Sequence, residues 1–513
     1  MHSLIVADAF QHQFIVLKIN KIDGVFLMSD ILKGLKPERV FHYFEEICAI
    51  PHGSGNVEAI SDYCVAFAKS HDFWVRQDEA KNVIIRKPAS KGYENAPVVM
   101  LQGHMDMVCE KNSDVDFDFE NEGLKLRVID DMIYATGTTL GADDGIAVAI
   151  AFAILEDDTL AHPELEVVIT TDEEVGMTGA HALDTSDLKA KFMINIDNEQ
   201  EGQILTSCAG GMRSHIQMPI RYVKWEGIPV TLKVNGLKGG HSGVEIQMGR
   251  ANSNRILGRL LFELSKVMNL GVCEVSGGMK VNAIPREAEA LVVIPPEMLD
   301  TAKEITKEFL KDLKDEFGVA DPGINLEFIV EDVECKEMNI IHPVDMERIL
   351  FVYIQAINGI QTMSMELPGL VESSLNLGVV TTEADFVEFS WALRSSKKSL
   401  KYLMSDKLQY LAEFIGGSYY YTSEYPHWSF RKDSKIREIT AESYKELFGK
   451  EPGIDAIHAG LECGLISEKM PDLDIISIGP DSIDIHTPDE HVSITSVERV
   501  YRLLCDVLVR IKD

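Results

Sequence analysis

Nowhere in this chain are two cysteines separated by two residues. The eight cysteines, Cys48, Cys64, Cys109, Cys208, Cys273, Cys335, Cys463 and Cys505, are scattered, which argues against a thiolate zinc site and a disulfide framework and suits a reducing cytoplasm. Long apolar runs are missing too. The longest, Ile146 to Leu155, is about half a membrane span, so no transmembrane helix and no membrane partner are expected. Basic residues are scarce: 49 Lys and Arg stand against 82 Asp and Glu, a net charge of −33. A surface that acidic repels phosphate backbones and excludes nucleic acid as a partner. The first 27 residues hold an apolar piece, "FIVLKIN", but neither a basic start nor a small-residue cleavage site, so they do not read as a signal peptide. Met28 opens a normal helix entry, "SDILKGLKPERVFHYFEEI", and is the expected native start.

What is present is a chain of 513 residues, longer than one hydrophobic core usually grows, so two domains are expected. Helical patterns alternate with Val/Ile-rich runs, "NVIIRKP", "APVVMLQGHMDMV", "LEVVITTDEE" and "KFMINIDNE". Strands apolar on both faces, alternating with helices, predict an α/β domain with a mostly parallel central sheet flanked by helices. The same texture returns after Pro426, where Thr495 and Glu498 suggest a capping box for the last helix. Between the two stretches a different order, strand, turn, helix, strand, occurs twice, which predicts an inserted α+β domain of two related halves. The expected plan is an N-terminal extension over 1–31, a split α/β domain over 32–208 and 426–513, and an insert over 209–425.

Ligand-type residues cluster after the apolar strands. His104 and Asp106 follow "VVML", Glu173 and Glu174 follow "LEVVITT", Asp197 follows "FMINI", His486 comes after "DIISIGP", and Asp143 sits in the turn "TTLGADDG". In an open α/β sheet the carboxyl ends of neighbouring strands line one crevice. Each feature alone reads as a turn or a solvated loop, but the ordered set points to a single site. Two imidazoles with carboxylate oxygens and no thiolate suit divalent metal, zinc by default and cobalt or manganese as alternatives. Bridging carboxylates could hold two ions, which would answer the mutual repulsion of Asp172, Glu173 and Glu174. Asp106 is placed to orient His104. Glu173 and Glu174, on an extended segment, would point apart, one to metal and the other to the substrate water. Asp172 is expected to be a solvated or helix-capping neighbour.

The ordered motifs "HMDM", "GADDG", "DEEVG", "NIDNE" and "IHTPDEH" resemble the M20 family of co-catalytic zinc peptidases. "GTTLGADDGIAVA", "GLKGGHSG", "NAIPREA", "HAGLECGL" and "HTPDEHV" are similar to its aminoacyl-histidine dipeptidase branch, from about Leu32 to the C-terminus. The resemblance implies that His104, Asp143 and Asp197 hold one metal and Asp143, Glu174 and His486 the other, with Glu173 as general base and Asp106 orienting the site. It implies that the insert is a lid, with His241 steadying the oxyanion, Asn282 and Arg394 gripping substrate, and Gly460 offering its backbone. An arginine fork suits a dipeptide's terminal carboxylate. The implied reaction is hydrolysis of dipeptides, above all Xaa-His of the carnosine type, by a cytoplasmic homodimer. Gln247 stands where some relatives carry histidine, which bears on substrate preference. The alternatives are another M20 hydrolase, a tripeptidase or an N-acyl-amino-acid deacylase, or a catalytically silent peptide- or metal-binding homologue.

Overall fold

The computed structural model describes residues 30–512; the expected start at Met28 lies outside them. The described residues form two compact units, one from residues 30–206 with Arg431–Ile454 and residues 469–512, the other from Ser207–Phe430 with Asp455–Glu468. The sequence pattern kept 426–513 in one piece. Asp455–Glu468 goes instead with the second unit because its polar groups are satisfied there: the Ala209 N–H donates to the carbonyls of Ile457 and Ala459 at 3.2 and 3.0 Å, and His458 Nε2 lies 2.7 Å from Ser374 Oγ.

The first unit is of the α/β class. Its sheet runs in the order Trp74–Gln77, Val83–Lys87, Leu165–Thr170, Val99–His104, Phe192–Asn195, Asp474–Ser477, Gln203–Cys208. The four strands from Leu165–Thr170 to Asp474–Ser477 are parallel, and antiparallel pairs flank them. These central strands are buried along their length, as β-branched runs without polar alternation require. The helix Ala142–Glu156 is apolar all round and almost wholly buried, the mark of a core helix rather than an amphipathic one.

The second unit is built on an antiparallel sheet in the order Asn325–Val330, Tyr222–Asn235, Ala288–Ile294, Gly271–Gly277, Val371–Thr382, Phe386–Ser395, Gly210–Pro219, Ser418–Tyr425. The helices Ser253–Ser265, Pro343–Gln355 and Lys398–Phe414 pack against it. Among the described residues no helix is long and apolar enough to cross a membrane.

The last helix runs from Ile494 to Arg510 and is capped by Ser493, whose hydroxyl accepts from the Ser496 N–H at 3.2 Å. Thr495 is not its cap. Asp131 takes the Thr495 N–H and hydroxyl and the Ser493 hydroxyl, which starts the helix two residues earlier than the Thr495–Glu498 pattern suggests.

Candidate metal centre

Strand register brings the polar residues together. His104 is level with Thr170 on the neighbouring parallel strand, and Gln102 with Asn195 on the other side. The chain therefore leaves its strands at Thr170, level with His104, and at Asn195, level with Gln102, carrying Thr171–Glu174 and Asp197 to the same carboxyl-end crevice.

Asp143 lies at the centre. One oxygen, Oδ1, is 3.2 Å from His104 Nε2, and the other, Oδ2, is 3.2 Å from His486 Nε2. Asp197 Oδ1 is 3.7 Å from His104 Nε2, and Glu174 Oε1 is 2.9 Å from His486 Nε2. Three sets of donor atoms converge to within 4.8 Å of one another: His104, Asp143 and Asp197; Asp143, Glu174 and His486; and His104, Glu173 and Glu174. Asp143 belongs to two of them, one through each imidazole. The expectation that Glu173 and Glu174 diverge assumed an extended segment. The chain instead turns at Asp172, φ +52°, and both carboxylates reach the neighbourhood of the His104 ring.

Asp106, 1% exposed, organises the crevice, though not chiefly as a carboxylate on His104. Its backbone carbonyl lies 2.9 Å from His104 Nδ1, which fixes the N–H on Nδ1 and leaves Nε2 for a ligand; the carboxylate is 3.5 Å from the same nitrogen. The carboxylate mainly accepts from the N–H groups of Glu173 and Glu174, at 3.0 and 3.4 Å, and from the Ser54 hydroxyl at 2.8 Å. Asp172 accepts the Gly55 N–H at 2.7 Å, pinning a neighbouring loop.

The motif "HTPDEH" also carries a residue that braces the site. Glu490, 3% exposed, sends its carboxylate to the backbone of the Asp143 turn, accepting from Leu140, Gly141 and Ala142 at 2.7, 3.1 and 2.9 Å, with the Asp143 N–H at 3.5 Å. These are N–H groups that the start of a helix leaves without internal partners. Burial pushes this carboxyl up to about 6.

The electrostatics are those of a cation site. Burial alone would lower His104, but Asp106 and Asp143 more than offset it and hold the imidazole well above its ordinary range. His486 is raised to about 10 by Asp143 and Glu174. Asp143 is held low despite its burial by the two imidazoles, while burial and the nearby Asp144 push Asp197 well above the carboxylate range. The cluster thus retains protons to offset its own negative charge, as crowded carboxylates do. Two imidazoles and several carboxylates, without thiolate, are a donor set that fits divalent metal in place of those protons.

The second unit gathers the remaining residues into a cluster of its own. Gly240 and His241 pair with Ile284 and Ala283, and the Asn282 carbonyl accepts the Ser242 N–H at 2.9 Å. Arg394 Nη2 is 3.2 Å from His241 Nε2, and Arg394 Nη1 donates to the Tyr425 hydroxyl at 2.8 Å. Burial and the Arg394 charge lower His241 to about 4, so this imidazole is neutral at pH 7. Arg394 is 8% exposed, its Nε has no hydrogen-bond partner, and no carboxylate pairs with it among the described residues. Gly460 packs on Tyr425; a Cβ there would come 2.7 Å from its ring. Gln247 is spent locally, donating to the Val244 carbonyl at 2.7 Å.

The family model for Peptidase family M20/M25/M40 matches residues 100–510. The chain belongs to this peptidase family. It is 37% identical over 484 residues to the cytosol non-specific dipeptidase of Escherichia coli, covering 94% of this chain and 99% of that protein. It is also 37% identical to the aminoacylhistidine dipeptidase of Vibrio alginolyticus, whose crystal structure it matches with a TM-score of 0.86 over 94% of this chain and 98% of that one. The aminopeptidase PepT of Bacillus cereus, at 15% identity and a TM-score of 0.54, shares the fold. The family and the α/β class expected from the motifs are those observed.

Proposed function

We propose that this M20 peptidase is a dipeptidase that hydrolyses Xaa-His dipeptides of the carnosine type along with a broader range of dipeptides. The observation that carries the reading is the division of Asp143 between His104 and His486, with Glu173 alongside. His104, Asp143 and Asp197 are the proposed ligands of one divalent ion and Asp143, Glu174 and His486 those of a second, zinc by preference, with cobalt or manganese as substitutes. Metal bound there supplies Lewis acidity, polarising the scissile carbonyl and lowering the pKa of the attacking water.

The chain's own groups do the rest. Glu173 takes the proton of the attacking water and returns it to the leaving amine. Asp106 holds Glu173 in place through its backbone N–H and holds the His104 ring through its carbonyl. In the second unit, the neutral His241 is assigned to the developing oxyanion, Asn282 and the Gly460 backbone to the substrate, and Arg394 to its terminal carboxylate. A buried guanidinium without a carboxylate partner is a costly arrangement that an anionic ligand relieves.

The names of the two relatives differ in breadth, one non-specific and one aminoacyl-histidine. Both are 37% identical to this chain, so identity does not choose between them. The deciding experiment reconstitutes apoprotein with zinc, cobalt or manganese and measures kcat/KM on Xaa-His dipeptides, other dipeptides, tripeptides and acetyl-amino acids. Dipeptides are expected to lead; preference for a tripeptide or an acetyl-amino acid would overturn the reading. A cytoplasmic homodimer is part of the proposal, and sedimentation at working concentration tests the dimer.

A further inference from the structure

Arg394, Gly211 and Tyr425 form one row across three adjacent strands. Gly211 is paired with Arg394 on one side and with Tyr425 on the other, so all three share a face of the sheet. The middle position has no side chain. A Cβ on Gly211 would lie 2.4 Å from the Tyr425 hydroxyl oxygen, so only glycine lets the phenol cross the central strand and accept from Arg394 Nη1 at 2.8 Å. Gly460 closes on the same ring.

Tyr425 occupies this place because of a bulge. The edge strand keeps simple register with its neighbour from Ser418 opposite Gln217 to Thr422 opposite Arg213; then Tyr425, three residues on, meets Gly211, two residues on. The extra residue is taken up where Ser423 has φ +51°. In unbroken register Glu424 would stand opposite Gly211, and its carboxylate would enter the row beside Arg394. A bulge shifts which side chain faces the site. Here it exchanges a carboxylate for a neutral phenol and sends Glu424 to Lys401, 3.1 Å away. Lys401 Nζ also holds the Tyr425 carbonyl at 2.8 Å.

We infer that Tyr425 is a positioning residue for substrate carboxylate recognition: its hydroxyl fixes the Arg394 fork while leaving the charge uncompensated for the carboxylate of the dipeptide. The inference rests on the proposed role of Arg394.

The test is a double-mutant cycle of Tyr425→Phe and Arg394→Lys in the metal-loaded enzyme, with KM and kcat measured on a dipeptide and thermal unfolding recorded for each variant. Tyr425→Phe is expected to raise KM about five- to tenfold, the loss of one hydrogen bond to a charged group, with kcat within about twofold. In the Arg394→Lys background the same change should alter KM less than about twofold, because the fork it positions is gone. An unchanged KM for Tyr425→Phe overturns the inference, and so does an equal rise in both backgrounds, which would mean that the phenol acts without Arg394. If Arg394→Lys alone leaves KM unchanged, the carboxylate reading of Arg394 fails, and this inference with it.

Discussion

The carboxylate of Asp106 accepts the backbone N–H of Glu173 at 3.0 Å. The proposed base is therefore anchored by its main chain. The residue two places after His104 thus controls both the imidazole, through a carbonyl, and the acidic turn, through a carboxylate. Asp106→Asn replaces one acceptor oxygen by a donor facing Glu173, Glu174 or Ser54. Metal affinity and kcat are both expected to fall, each about 10- to 100-fold, as measured by competition with a chromogenic chelator and by steady-state kinetics.

Glu173 and Asp172 are adjacent and chemically alike, yet their surroundings separate them. Glu173→Gln removes the proposed proton carrier and should lower kcat about 100- to 10,000-fold with metal content unchanged. Asp172→Asn keeps an oxygen for the Gly55 N–H and should change kcat by less than about threefold. Turnover of Glu173→Gln within tenfold of the parent, at equal metal occupancy, would falsify the assignment of the base.

How much of this was legible in the sequence depends on whether a role is local. His104 ends an apolar strand, Asp197, Glu173 and Glu174 stand just beyond one, and a parallel sheet gathers such ends whatever else the chain does. Asp143 was legible because its turn opens the most apolar helix. Glu490 was not, since its partners are backbone N–H groups about 350 residues away, and backbone donors leave no mark in a motif. The contribution of Tyr425 depends on a single bulge, which no strand pattern in "SYYYTSEY" reveals. The divergence expected of Glu173 and Glu174 failed because a left-handed Asp172 ended the strand geometry on which it relied. The Thr495 cap failed because Asp131, far along the chain, competes for Thr495 and Ser493 alike.

Glu490 links the segment that carries His486 to the turn that carries Asp143. Glu490→Gln places an amide donor among three close backbone donors, leaving at least one buried N–H without an acceptor, a cost of about 1–3 kcal/mol. The expected result is a lower midpoint in urea unfolding together with weaker metal binding by calorimetry. A stability loss with metal affinity intact would mean that the staple supports the helix alone.

Metal binding should release protons. His486, raised to about 10, carries a proton at pH 7 that a ligating imidazole cannot keep, and Asp197, pushed well up by burial and Asp144, adds to the number released. Titration calorimetry in two buffers of different ionisation heat should show at least one proton released per protein at pH 7. Affinity should increase as pH rises toward 9, and chelators should inactivate reversibly. Full activity after verified removal of metal would remove the metal mechanism altogether.

The buried imidazole of His458 predicts acid sensitivity of a definite sign in the second unit. Burial first, then Arg394 and His241, lowers it to about 3, whereas an unfolded histidine titrates near 6.5. Above about pH 6.5 neither state binds the proton, and stability is unaffected by this group. Between that pH and about 3 the unfolded chain takes up a proton that the folded protein refuses, so stability falls with acidification by about 1.4 kcal/mol per pH unit for each such group. His241, lowered to about 4, adds a second contribution over a narrower window. Denaturant unfolding from pH 7 to 5 in the presence of chelator, with unfolding of the second unit followed separately, should show this slope. Replacing His458 by Gln, which keeps a polar group near Ser374, should lower the slope by about one proton while leaving the His241 contribution. An unaltered slope would mean that His458 is protonated in the fold and that its contact with Ser374 is not that of a neutral ring.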